Sequence, residues 1–150
     1  MPKSAVTHEI REAFASETLP VDEPVAVKTY CDEGASLTLK GRRWQQVSEY
    51  EIANVSACLN FLSPPAVRAY LAAFLVTSIA APLSGIADST VAFVKPPKGN
   101  PSRPSYFSWW SLLSQRQRTV VIAFLRAMPE SMPGEHAEAI KTLEASVNAS

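Results

Sequence analysis

Apolar residues return at helical spacing along most of this chain. Val6, Ile10, Ala13 and Phe14 fall at offsets of four, seven and eight, with Glu9, Arg11 and Glu12 elsewhere on the wheel, which predicts an amphipathic first helix closed by Pro20. Residues 21–30 carry a weak pattern with Pro24 inside it, and 31–39 predict a short helix ended by Gly41. Ser48 followed by Glu51 is a capping-box pattern, in which each side chain satisfies an unpaired backbone N–H of a helix start. Ile52, Val55, Leu59 and Leu62 then continue one apolar row of a single helix. Ser63 ends that helix and caps the next, because Pro64 and Pro65 have the preset φ and missing N–H that a first turn tolerates.

The segment that follows carries no charge from 69 to 87, a run of 19 residues, close to the length of a membrane-spanning helix. Pro82, Ser84 and Gly85 cut it short. The apolar part proper spans only about 20 Å against the roughly 30 Å of a hydrocarbon core, so 66–81 is expected as a helix buried on most sides. Its alanines let neighbours approach closely, while Tyr70, Leu71, Phe74 and Leu75 supply bulk. Residues 87–94 are read as helix, because no partner strand is in prospect for Thr90, Val91, Phe93 and Val94. Pro96, Pro97, Gly99, Pro101 and Pro104 predict a loop over 95–104. Ser114 with Gln117 repeats the capping box before an apolar helix that stops at Pro129, and Ala137, Ile140, Leu143 and Val147 mark a terminal amphipathic helix. The fold expected is all-α: one domain over 1–150, a compact bundle of about six helices around the central apolar helix 66–81.

Composition narrows the function classes. With 47% hydrophobic and 19% charged residues the chain is globular in character, and its formal net charge of zero argues against a dedicated nucleic-acid or polybasic membrane binder, both of which need a strong positive field. The zero hides a block structure: seven acids against three bases over 1–36, ten bases against three acids over 37–126, and four acids against one base from 127 onward. The simplest consequence is that the acidic terminal segments pack beside the basic middle and neutralise it. Cys31 and Cys58 have no metal-ligand spacing, and Glu9, Arg11 and Glu12 interrupt any signal-like apolar run, so a reducing cytoplasm is the expected compartment. The sequons at Asn54 and Asn148 carry no weight there.

Motif by motif, catalytic chemistry finds little support. His8 and Glu12 share a helix face at i, i+4, but a catalytic zinc needs at least three protein ligands and the usual second His is missing. His136-Ala137-Glu138 looks like the His-x-Glu of zinc deaminases, yet no downstream Pro-Cys-x-x-Cys follows it. No Gly-x-Gly-x-x-Gly, Walker loop or Gly-x-Ser-x-Gly elbow occurs, so neither a metal nor a cofactor is expected.

At Gly41-Arg42-Arg43-Trp44, Leu59-Asn60-Phe61-Leu62-Ser63-Pro64-Pro65-Ala66, Arg68, Tyr70-Leu71-Ala72-Ala73-Phe74-Leu75 and 117–125, the chain resembles a family of small uncharacterised bacterial proteins. That family has a Gly-Lys-x-Trp-like turn, a Phe-Leu-Thr-Pro-Glu-Ala-like cap and an Arg-Tyr-Tyr-Leu-Pro-Ala-Phe-like helix. The chain departs from it at Pro65, Ala69 and Ala72, the last of which implies a straighter central helix. The resemblance implies an all-helical fold and carries no reaction with it.

The most unusual stretch is 95–110, where prolines with Lys95, Lys98 and Arg103 run into Tyr106, Phe107, Trp109 and Trp110. Proline lowers the entropy cost of ordering an exposed segment, and Tyr, Trp and Arg dominate interface energetics, so Arg103, Tyr106, Phe107, Trp109 and Trp110 are candidate partner-binding residues. The competing reading has the aromatics pack back on the core. Arg42 and Arg43 form a second candidate patch beside Trp44, itself read as a core anchor, with both guanidiniums expected in solvent. The function expected is non-catalytic protein binding, most concretely an immunity-type inhibitor of a bacterial toxin. The alternatives are a small nucleic-acid-associated factor using Lys95, Lys98 and Arg103, which neutral overall charge disfavours, and a carboxylate-dependent enzyme.

Overall fold

The structure, a computed structural model, describes residues 2–26, 31–96 and 103–148, with the backbone alone described at 31–33 and 103–105. It is all-α. The described residues form eight α-helices: α1 (Lys3–Ala13), α2 (Cys31–Leu39), α3 (Glu49–Asn54), α4 (Pro64–Ala80), α5 (Gly85–Val94), α6 (Arg103–Trp110), α7 (Gln115–Ala127) and α8 (Ala137–Ser146). Two 3₁₀ turns, Trp44–Gln46 and Ser56–Phe61, lie between them, and an isolated antiparallel bridge joins Ala26 to Leu62.

The elements differ from those expected at two places. The apolar row running from Ile52 to Leu62 is not one helix: Val55 sits at φ −111°, ψ 15°, and the chain tightens into the 3₁₀ turn Ser56–Phe61. Pro104 does not prolong the preceding loop, because α6 begins at Arg103 and a proline is tolerated in a first helical turn.

Three helix starts form as their sequences dictate. Ser48 Oγ accepts from the Glu51 N–H while Glu51 accepts from the Ser48 N–H, and Ser114 with Gln117 repeats this reciprocal pair at α7. Ser63 Oγ accepts from the Ala66 N–H at the start of α4 and donates to the Pro24 carbonyl at 2.7 Å, tying the entering strand of chain to the central helix.

α4 is the axis of the core. Twelve of its 17 residues are buried, and it packs against α1, α3, α5, α6 and α7. At about 1.5 Å per residue it spans roughly 25 Å, and no helix among the described residues is long and apolar enough to cross a membrane. The Tyr70 hydroxyl lies 2.7 Å from the Leu39 carbonyl oxygen and 2.9 Å from that of Arg42, donating to one at a time. It thereby pins the turn after α2, where Gly41 takes φ +77°, a conformation that disfavours any side chain.

The acidic ends do meet the basic middle. Glu17 pairs with Arg68 at 3.1 Å, Glu9 with Arg116 at 3.5 Å and Glu144 with Arg126 at 3.0 Å. These contacts are partly or largely exposed and contribute little each, but they set acids of both ends against bases of the middle.

Candidate functional site: a groove between α5 and the segment 128–136

The structure removes the aromatic stretch from the surface. Tyr106, Trp109 and Trp110 stand at i, i+3 and i+4 on α6 and are all buried. Trp109 stacks on Phe93 at 4.9 Å between ring centroids, and the Tyr106 hydroxyl donates to the Val94 carbonyl at 2.6 Å. Burial holds the Tyr106 phenol far above its ordinary pKa. Phe107 is half-buried, edge-on to Tyr106 at 5.2 Å. The Arg103 side chain and Lys98 lie outside the described residues. The expectation of an exposed aromatic binding face therefore fails at Tyr106, Trp109 and Trp110, because the area these rings remove from water exceeds what a displayed loop retains.

The second patch divides. Arg43 is exposed, as expected, whereas Arg42 is half-buried and not a free cation: it makes a two-pronged pair with Glu51 at 2.6 and 3.0 Å and also donates to the Thr38 and Gln46 carbonyls. The Arg42 guanidinium holds the Glu51 carboxyl down at about 2, with the Ser48 N–H adding to the effect. Arg43 donates to the Ala15 carbonyl at 3.1 Å. With Trp44 on Phe14, Gln117 on Ala13 and Gln45 on Ala15, it brings side-chain donors to the carbonyls at the end of α1. Trp44 is buried, as expected of a core anchor.

What the sequence reading missed is a groove of about 540 Å³ between α5 and the segment that leads from α7 into α8. Ala87, Val91 and Met128 give it an apolar lining, and Asp88, Lys95, Glu130, Glu135 and His136 its chemistry. The segment 128–136 is stitched by its own acids: Glu130 Oε2 accepts from the His136 N–H at 2.6 Å, and Glu135 Oε2 accepts from the Ser131 N–H at 2.7 Å. That second bond, helped by Lys95 and His136 nearby, keeps the Glu135 carboxyl below its ordinary pKa. Gly134, at φ +80°, makes the turn that brings His136 back to the head of α8.

His136 is the unusual residue of the groove. It is 3% exposed, and neither Nδ1 nor Nε2 has a hydrogen-bond partner among the described residues. A buried imidazole with both nitrogens unsatisfied carries a desolvation penalty of about 1–3 kcal/mol per group, which most proteins avoid. The sequence held one weak signal for it, a histidine directly after Glu135 in a short stretch with Pro129, Pro133 and Gly134, but nothing local says that it is buried. Of the basic residues considered for nucleic acid, Lys95 sits among three carboxylates, which is the wrong surroundings for a phosphate. Among the described residues no three His, Cys, Asp or Glu side chains converge in a manner that could hold a metal ion.

Comparison with known proteins gives no curated protein and no solved structure that matches. A family model does match, over residues 2–145, and by it the chain belongs to the family of unknown function DUF6714.

Proposed function

We propose that this chain is a non-catalytic binding protein that engages a protein partner through the groove between α5 and the segment 128–136. The observation that carries the reading is a strongly exposed apolar side chain in the lining of that groove, with a second close to it in the chain segment of the other wall. Leu83, at the α5 end of the lining, is 90% exposed, and Met132, next in the chain to the lining residue Ser131, is 71% exposed. Burying a side chain of this size in a partner contributes about 1.5–3 kcal/mol, and polar groups already in place around it set orientation.

The concrete form proposed is an immunity-type inhibitor that holds a bacterial toxin in a reducing cytoplasm. An acidic groove supports it, because electrostatic complementarity to a basic target speeds encounter and fixes register. The test is to purify the products of the genes flanking this one and titrate each against the chain by calorimetry, then against Leu83→Asp and Met132→Asp. A partner whose affinity falls about tenfold or more in these variants, at unchanged melting temperature, supports the groove. A partner bound equally well by all three proteins rejects the groove, and flanking products that neither bind nor lose toxicity in its presence reject the inhibitor.

A further inference from the structure

Resting on that reading, we infer that the groove takes an arginine side chain of the partner, seated with an aliphatic neighbour against Leu83. Three observations converge on a donor-rich cation. The charged groups lining the groove are three carboxylates, Asp88, Glu130 and Glu135, against one ammonium, Lys95, so the site retains negative charge. Glu130 commits Oε2 to the backbone of its own segment, which leaves Oε1 for a ligand, and Glu135, held by the Ser131 N–H, keeps its negative charge beside it. His136, more than nine-tenths buried in the same lining, has no partner at either ring nitrogen, and in either neutral tautomer one of those nitrogens is an acceptor.

A guanidinium suits this set better than an ammonium. Its five N–H donors lie in a plane and engage carboxylates in pairs, and it has donors to spare for an acceptor off to one side. Its methylene stem needs an apolar channel, which Ala87, Val91 and Met128 supply. The ring nitrogens of His136 are shielded from water. The carboxylates hold the cation at the mouth of the groove, and the Glu130 bond to the His136 N–H couples its arrival to the ring behind them.

The probe is a blocked tripeptide, acetyl-Leu-Arg-Leu-amide, titrated into the full chain beside its citrulline counterpart, which keeps the shape and loses the charge. The chain has two histidines, His8 and His136, so ring ¹H–¹³C signals report on the site with an internal control, because His8 is exposed on α1. The expected result is a saturable shift of the His136 signals and a still His8, with the citrulline peptide about tenfold weaker or worse. Asp88→Asn, in the first turn of α5, gives up only a small helix-dipole contribution, and it should weaken the arginine peptide severalfold while the protein stays folded at the titration temperature. Equal affinity for the two peptides, or no His136 shift up to about 10 mM peptide, overturns the inference. A flanking-gene product that binds through Leu83 while the two peptides bind alike sinks the arginine and leaves the binding protein. An arginine-selective groove that no such product enters does the reverse.

Discussion

The indole Nε1 of Trp44 donates a 2.8 Å hydrogen bond to the carbonyl oxygen of Phe14, joining the end of α1 to a turn 30 residues along the chain, and both side chains are buried. The bond is one of two on that oxygen, which also accepts from the Glu17 N–H at 3.1 Å just past the end of α1. Trp44→Phe removes the longer-range donor and opens a void beside it. We expect a loss of about 1–3 kcal/mol in urea unfolding. Gln45→Ala, which removes an exposed bond to the neighbouring Ala15 carbonyl, should stay within about 0.5 kcal/mol.

Glu51 makes stability depend on acid. Its carboxyl is held near 2 when folded, against about 4.5 for the free group, by the Arg42 guanidinium first and the Ser48 N–H second. A folded pKa lowered in this way favours the folded state at every pH above the ordinary value, and the advantage disappears as pH falls toward 2. Wild type should therefore melt above Glu51→Gln at pH 7, and the gap should close between about pH 4.5 and pH 2. A gap that stays constant over that window counts against the pair as its source. Because both side chains are about one-third exposed, added salt should narrow the gap at pH 7 as well.

The aromatic cluster gives a sharper test, since folding and binding readings predict opposite outcomes for the same variants. Trp109→Ala empties a buried site against Phe93 of α5 and Trp110→Ala one beside Tyr106 and Arg118, and each should cost about 3–5 kcal/mol of stability. Tyr106→Phe keeps the ring and strands only the Val94 carbonyl, so about 1–2 kcal/mol is expected. Variants that lose a partner at wild-type stability would return these residues to the binding surface.

What could be seen in the sequence divides along the same physical line. Ser48 with Glu51, Ser63 with its two prolines, and Ser114 with Gln117 are local devices complete within four residues, and each forms as its spacing says. The central helix was legible because an uncharged run too short for a membrane has only a core to go to. By contrast, whether Trp109 faces solvent depends on where Phe93 lies, and which carbonyl Arg43 finds depends on the chain leaving α1 at Ala15, 28 residues earlier. The groove is one step further removed: α5 and the segment 128–136 are joined by no sequence pattern, and the burial of His136 exists only once α7 and α8 are placed.

Arg118 decides whether that placement holds. Buried on α7, it donates from Nε to the Trp110 carbonyl at 3.2 Å, from Nη2 to that of Ser111 at 3.1 Å and from Nη1 to that of Val147 at 2.9 Å, so one fork fastens the exit of α6 and the end of α8 to the same point. Leu143 is the one fully buried residue of α8 itself, so this helix depends on the fork more than on its own apolar face. A lysine has the charge but not the geometry to reach three divergent carbonyls. Arg118→Lys should cost about 2–4 kcal/mol, and Arg118→Met at least as much. The loss should be local, with hydrogen exchange rising across 137–147 while the amides of 70–79 stay protected. Because His136 heads α8, the same variants should loosen the groove and weaken any ligand held there, even though Arg118 does not line it. Uniform acceleration of exchange across α4 and α8 together would show that the fork supports the whole bundle and that α8 has no independent hinge at His136.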